Sequence, residues 1–336
     1  MSKHIIIPIF VPQVGCPHDC VFCDQNKITG QDKDETNQIN GDFVKATVNE
    51  YLKTIDRENT TLEISFFGGT FTGIDIRLQK ELLSVAKEFK ESNTIDYIRL
   101  STRPDYINIP ILNHLKSYNV DIIELGVQSF DDKVLEMSKR GYKKESIYKA
   151  SRLIKEYGFT LGHQLMLGLP YDTPEKDIYS MEESIALKVD LIRIYPALTI
   201  KGTEMETLFN EGKYIPYSLE KAVKISSLMI ERFEKENIKV IRVGLQPTKE
   251  INEGAEIVSG PFHPAFKELS ESYNLYKKII QFKDKDISVD IENKNLSKLY
   301  ADKKRYFNKL KKDNINVKVN VVDFHIEDTI NISEIV

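Results

Sequence analysis

Cysteine is scarce in this chain of 336 residues: there are three, all between positions 16 and 23. An odd, clustered set cannot form a disulfide framework, and in a reducing compartment it reads as metal-binding or catalytic. Long hydrophobic runs are missing too; nothing reaches the roughly 18 apolar residues that a transmembrane helix needs. The opening Met1-Ser-Lys-His-Ile-Ile-Ile-Pro is apolar over too short a span for a secretory signal, so a cytoplasmic protein without a membrane partner is expected. Charge of one sign is also lacking. Against 47 Lys and Arg stand 51 Asp and Glu, a net charge of −4, so any RNA- or DNA-binding surface must be local. What is present is an ordinary globular composition, 41% apolar and 29% charged, at a length suited to one large α/β domain with or without an appendage.

Hydrophobic patterning alternates strand and helix. Strands are expected at His4–Val11, Thr61–Phe67, Asp96–Ser101, Asp121–Gln128, Phe159–Leu167 and Leu191–Pro196, and several read as nearly continuous apolar runs buried on both faces. Helices are expected at Phe43–Ile55, Arg77–Lys90, Ile109–Tyr118, Lys144–Tyr157, Pro174–Leu187 and Leu219–Glu236, with Thr173 capping the fifth. Six βα units in a row imply a parallel sheet, open or curled into a partial barrel, whose reactive groups sit at the carboxyl ends of the strands. The unusual polar and glycine-rich strings fall there: Gly15–Asp24, Gly68-Gly69-Thr70, Ser101–Pro104, Gln128-Ser129 and Gly168–Pro170. Beyond about Val243 the character changes. Gly244–Pro264 reads as loop, strands are plausible at Ile287–Ile291 and Val317–Ile326, and Leu296–Leu310 reads as a helix with Leu296, Leu299, Tyr300, Phe307 and Leu310 on one face. From Tyr273 to Asp313 there are 12 Lys/Arg against 6 Asp/Glu. This basic stretch is either a local phosphate-binding surface or a solvated helix face.

Cys16, Cys20 and Cys23 have the spacing C-x3-C-x2-C. Three thiolates on a short loop can hold three corners of an iron–sulfur cube, leaving one iron open to a small molecule. Two other readings exist. His18 could complete a zinc site, though with poor geometry inside so tight a loop, and a Cys20–Cys23 redox dithiol leaves Cys16 unexplained.

This spacing, with Phe22 before the third cysteine, resembles the signature of radical S-adenosylmethionine (SAM) enzymes, over about residues 5–245. The resemblance implies a partial (β/α)6 TIM-like barrel over 1–245, a small α+β extension with a basic helix over 246–336, one 4Fe–4S cluster on Cys16, Cys20 and Cys23, and S-adenosyl-L-methionine on the open iron. In that family one electron from the cluster cleaves the cofactor and yields a 5′-deoxyadenosyl radical. An electron donor of the flavodoxin or ferredoxin type is implied with it. Gly68-Gly69-Thr70 is similar to the glycine-rich motif for the methionine amino group, with Thr70 where the family usually has an acid. Ser101 stands where relatives often carry a glutamate touching the cofactor, a contact that Arg103 could share. Gly126-Val-Gln-Ser-Phe-Asp and Ser138-Lys-Arg-Gly-Tyr imply that Gln128 binds ribose and Arg140 the methionine carboxylate. Gln164 in Gly162-His-Gln-Leu is placed toward the cofactor by strand alternation and His163 away from it, while Tyr195 and Lys201 are candidates for the substrate side. No catalytic side chain is assigned.

Within the family, Glu124–Ser129, Ser138–Tyr142 and Ile192–Glu204 look most like the Elongator catalytic subunit, which acts on tRNA. The cysteine interval is shorter than usual there, and the roughly 90 residues after the core are too few for that family's acetyltransferase domain, so acetyl-CoA chemistry is not expected. The compact spacing and Gly-Val-Gln-Ser-Phe-Asp also resemble oxygen-independent coproporphyrinogen oxidases. Branches needing further cysteines do not fit. The expectation is therefore a radical SAM enzyme, with tRNA as the possible substrate; a coproporphyrinogen oxidase-like protein and a non-catalytic iron–sulfur or RNA-binding module are the alternatives.

Overall fold

The computed structural model describes residues 3–11, 15–16, 20–24, 39–248, 251–252, 254–326 and 329–335. Its strands are β1 (Lys3–Phe10), β2 (Thr60–Phe67), β3 (Tyr97–Thr102), β4 (Ile122–Gln128), β5 (Thr160–Leu167), β6 (Leu191–Pro196), a short β7 (Thr199–Ile200) and β8 (Lys239–Val243). All but β7 form one seven-stranded sheet in the order β1-β2-β3-β4-β5-β6-β8, every pair parallel. The sheet curls into a half-barrel. Helices alternate with the strands: α1 (Gly41–Leu52), α2 (Ile76–Glu91), α3 (Ile109–Ser117), α4 (Asp132–Met137), α5 (Lys144–Glu156), α6 (Pro174–Ala186), α7 (Glu204–Asn210) and α8 (Leu219–Lys235), of which α4 and α7 also pack with the cysteine segment. Local sequence punctuates these helices. Asn40, Asp75, Asn108, Thr173 and Ser218 each accept a backbone N–H of the first turn, and Asn93, Asn119 and Asn237 take left-handed φ just past the ends.

The expected strands and helices form within three residues of their expected bounds at all but one element end. Two expectations change. β8 is a seventh strand, so the barrel has one more than the six anticipated. And the sheet is apolar on one face only. Leu62, Ile64, Phe66, Ile98, Leu100, Ile123, Leu125, Ile192 and Ile194 pack against the helices at 0% exposure. The inner face instead carries Glu63, Arg99, Glu124 and Arg193 on β2, β3, β4 and β6, each two residues further along its strand than the register position of the one before.

The chain continues through β9 (Ile257–Ser259), α9 (Phe266–Ile279), β10 (Asp286–Glu292), α10 (Leu296–Leu299), α11 (Ala301–Lys312), β11 (Asn316–Val322) and β12 (Ile330–Glu334). β9 pairs antiparallel with β7, so part of the stretch expected as loop is a small ribbon. β10 and β11 are parallel, joined through α10 and α11, and β12 adds an antiparallel strand that the sequence pattern did not reveal. The expected single helix is broken. Asp302, Lys303 and Lys304 adopt left-handed φ of 47°, 53° and 66°. The apolar face nonetheless forms: Leu299 and Leu310 are buried, with Leu296, Tyr300 and Phe307 packed against them. Phe266 and Leu269 at the start of α9 enter the barrel core, while Leu275 and Ile279 at its end enter the second core.

Candidate active site

The cysteine segment docks against the turn after β2 through backbone contact. A Cβ on Gly15 would lie 2.5 Å from Thr70 O, and one on Gly73 2.5 Å from Gly15 O, so the approach requires glycine at both positions. The docking brings Cys16 Sγ to 3.3 Å from Thr70 Oγ1. Cys23 N–H donates to Cys20 O (2.9 Å), a turn that sets these two cysteines side by side. Cys20, Val21 and Phe22 then pack with Val134, Leu169, Ala197, Met205 and Tyr214. His18 lies outside the described residues.

At the carboxyl ends of the strands a cavity of about 910 Å³ opens. Cys16, Cys20, Cys23, Phe22, Gly68, Gly69, Thr70, Ser101, Gln128, Arg140 and Gln164 all line it. The structure thus gathers every residue that the motifs singled out as a ligand or cofactor contact. Tyr195 and Arg103 line it too, whereas Lys201 is exposed and away from it. His163 faces outward, buried between Ser151 (2.9 Å) and Ser184 (3.1 Å).

Gln128 holds φ of 68°, a left-handed conformation unusual for a side-chain-bearing residue, at a register shift between β4 and β5. Such strain is retained where the surroundings over-determine a group's direction. Arg140 is buried, and its donors are largely used. Nη1 donates to Cys20 Sγ (3.0 Å), Nη2 to Gly126 O (2.6 Å) and Nε to Tyr142 Oη (3.1 Å). Arg103 binds Asp105 (2.9 Å) and the Arg140 carbonyl, but its buried Nη1 has no hydrogen-bond partner.

The thiols are matched to an electron-poor guest. Burial, with the neighbouring Cys20 and Cys16 thiols, pushes Cys23 up to about 12. Burial also raises Cys16, against the lowering by the Thr70 hydroxyl. Thiolates are the ligating form, so a cationic centre that displaces their protons relieves this penalty. Among the described residues no three Cys, His, Asp or Glu side chains converge as they must around a single metal ion. A cluster imposes no such convergence, because each thiolate binds a different iron. The soft donor set and its spread fit a cluster.

Beneath this layer lies a feature that the motif reading missed. Glu63, Arg99, Glu124 and Arg193 form a buried ion ladder across the inner sheet, with exposures of 0%, 3%, 1% and 8%. Arg99 Nη2 donates to Glu63 (2.8 Å) and Nη1 to Glu124; Arg193 donates to both Glu124 oxygens (2.6 and 3.0 Å). Glu124 reaches over β5 because Gly162 leaves the space: a Cβ there would lie 2.9 Å from Glu124 Cγ. Burial alone would raise the Glu124 carboxyl; Arg193 and Arg99 more than offset it and hold it below the usual range. The ladder meets the cavity directly at Arg193, which lines it, and through Gln164 Nε2, which donates to Glu124 (3.1 Å) and Ser101 (3.3 Å). The available signal was the single charged residue in each of these four strands.

A profile of the Radical SAM superfamily matches residues 10–181, and one of the Radical SAM C-terminal domain matches residues 189–277. The tRNA uridine(34) acetyltransferase of Methanocaldococcus jannaschii is 28% identical over 263 residues, 68% of this chain and 48% of that protein. The heme chaperone HemW of Bacillus subtilis is 25% identical over 239 residues, 70% of this chain and 61% of its own. Elongator complex protein 3 of Dictyostelium discoideum is 30% identical over 196 residues, 52% and 35% respectively. The chain spans about half the length of the tRNA uridine(34) acetyltransferases it matches. Among solved structures, archaeal Methanocaldococcus infernus Elp3 with an N-terminal deletion superposes with a TM-score of 0.63 at 22% identity, covering 83% of this chain and 64% of that chain, a likeness of fold.

Proposed function

The chain is an enzyme of the radical SAM superfamily, whose members use a 4Fe–4S cluster and S-adenosylmethionine, and from that premise we propose that it cleaves S-adenosylmethionine reductively to modify an RNA substrate of the tRNA class. Bound together, the two cofactors supply one-electron cleavage of a C–S bond and thereby hydrogen-atom abstraction from substrate. The residues of this chain do the rest. Cys16, Cys20 and Cys23 would hold three irons. Arg140, donating to Cys20 Sγ, sets a positive charge against that thiolate. Gly68 and Gly69, at φ of 81° and 50°, allow the methionine end to approach the backbone closely. The carboxylate falls to Arg103, whose buried Nη1 is unpartnered, since the donors of Arg140 are mostly engaged. Gln128 takes the ribose, and Gln164, held by Glu124 and Ser101, presents an amide oxygen toward the cofactor. Phe22 and Phe67 line the same cavity and keep water from the reacting atoms.

The observation that carries this reading is the convergence of all eleven motif residues on one cavity at the strand carboxyl ends. Two facts support the RNA substrate: the similarity over 68% of this chain to an enzyme named for tRNA uridine(34), and the local basic excess between Tyr273 and Asp313. An electron donor of the flavodoxin or ferredoxin type completes the proposal.

The test is anaerobic reconstitution with iron and sulfide, then dithionite and S-adenosylmethionine, with 5′-deoxyadenosine measured by chromatography. Formation of 5′-deoxyadenosine is expected, and alanine at Cys16, Cys20 or Cys23 should abolish the visible cluster absorption as well. An intact cluster that yields none sinks the enzymatic reading. Similarity to HemW over 70% of the chain favours a second, tetrapyrrole-directed reading; heme transfer onto the reconstituted protein, with no tRNA modification lost on gene deletion, would select it.

A further inference from the structure

The charge on the cavity wall is one-sided. Arg103, Arg140, Arg193 and Arg242 line it, and among the described residues no Asp or Glu does, in a chain whose net charge is −4. Three of the four are offset: Arg103 by Asp105, Arg193 by Glu124, and Arg140 by the Cys20 sulfur. Arg242 differs. Among the described residues it donates to Gln246 Oε1 (3.2 Å) and meets no carboxylate.

An irregularity of the backbone puts it there. β6 and β8 pair as Ile192 with Val240 and then Arg193 with Arg242, which leaves Ile241 as the extra residue of a bulge. Strict alternation would send Arg242 to the helix side with Val240. The bulge turns it inward, onto the face of Arg193. Arg193 and Arg242 are then register partners on neighbouring strands; Glu124 offsets Arg193, which leaves Arg242 as the member of the pair with no carboxylate among the described residues.

The neighbours suit an anion at Arg242. Gln246 and Thr248 bring an amide and a hydroxyl to the same wall, and Tyr195 Oη lies 3.5 Å from Arg193 Nη1. Beside them is an apolar floor: the Phe67 ring lies 5.2 Å from the Arg193 guanidinium, and the Phe10 ring 6.4 Å from Phe67. We propose that Arg242 is the substrate anchor of this cavity, taking an anionic oxygen group, phosphate ester or carboxylate, on a substrate whose ring lies over Phe10 and Phe67. This rests on reading the cavity as the radical SAM active site.

The test is ligand-observed NMR titration of the full, anaerobically reconstituted chain with three ring probes: phenyl phosphate, benzoate and phenol. At least one anion should bind roughly tenfold more tightly than phenol, the effect of one charge-assisted bond, and which anion wins identifies the source of the group. Arg242→Gln should remove that preference and Arg242→Lys should restore part of it. Anions that bind the unaltered protein no better than phenol, or a preference that survives in R242Q, overturn the proposal. Production of 5′-deoxyadenosine by the unaltered protein reads the cofactor assignment separately. An Arg242-dependent anion preference without that product leaves the anchor standing and removes the proposed activity.

Discussion

The single residue on which most of the site's geometry hangs is Glu124. Its two oxygens hold Arg99, Arg193 and Gln164 at once, at an exposure of 1%. Removing its charge leaves the buried Arg193 guanidinium without a carboxylate and Arg99 with Glu63 alone. Glu124→Gln is therefore expected to cost about 3–5 kcal/mol of stability in denaturant unfolding, where a solvated ion pair would cost below about 1 kcal/mol. A result in the lower range would show that the ladder is wet. Gly162→Ala tests the same ladder from below, because its new Cβ lies 2.9 Å from Glu124 Cγ. A loss of about 1–3 kcal/mol is expected in the same measurement, and an unchanged midpoint would mean that Glu124 has another route over β5. The cysteines and the glycine pair were legible because their chemistry is local in the sequence. The ladder was not, since Glu63, Arg99, Glu124 and Arg193 are brought together only by strand register.

At the scale of elements, the end of β5 is latched by acids. Asp177 on α6 accepts from Gly168 N–H (3.4 Å) and from Tyr217 Oη (2.9 Å), and Tyr214 Oη donates to Gly168 O (2.7 Å). Burial raises the Asp177 carboxyl, and the adjacent Asp172 carboxylate raises it further. A raised acid binds its proton more tightly folded than unfolded, so its contribution is full below the ordinary carboxylate range and fades as pH rises through the folded value. Buried His163, lowered to about 3 by desolvation, acts with the opposite sign, its contribution growing with pH until the unfolded histidine value near 6.5. Above that value the raised acids set the trend, and in the ordinary thiol range the raised Cys16 and Cys23 add to it with the same sign. Stability should therefore decline from neutral to mildly alkaline pH, and Asp177→Asn should flatten the decline in a pH series of thermal melts. A decline of equal slope in D177N would dissociate the latch from the titration. Elements were read well wherever period and caps coincided, as at Thr173 before α6. They were missed where pairing overrides period: β8 is short and bulged, β7 and β9 total five residues, and Asp302–Lys304 breaks a helix whose apolar spacing is intact.

Across the whole molecule, α9 ties the barrel to the extension, contributing Phe266 and Leu269 to one core and Leu275 and Ile279 to the other. The structure also sorts the basic residues of the extension. Arg305 is paired with Asp302 (3.2 Å) and lies 3.7 Å from Glu220, and Lys309 sits over the Tyr276 ring at 4.9 Å. Exposed charge on α11 rests more with Lys303, Lys311 and Lys312. If this helix meets RNA phosphates, converting these three to glutamine should weaken tRNA binding in a gel shift. The slope of log affinity against log salt should also become shallower, by roughly 0.7–0.9 for each lysine–phosphate pair removed. Altering Arg305 alone should do less, because Asp302 and Glu220 already offset it. Equal affinity and an unchanged slope in the triple variant would leave α11 as a solvated face and move RNA recognition to the mouth of the cavity, where Arg242 stands.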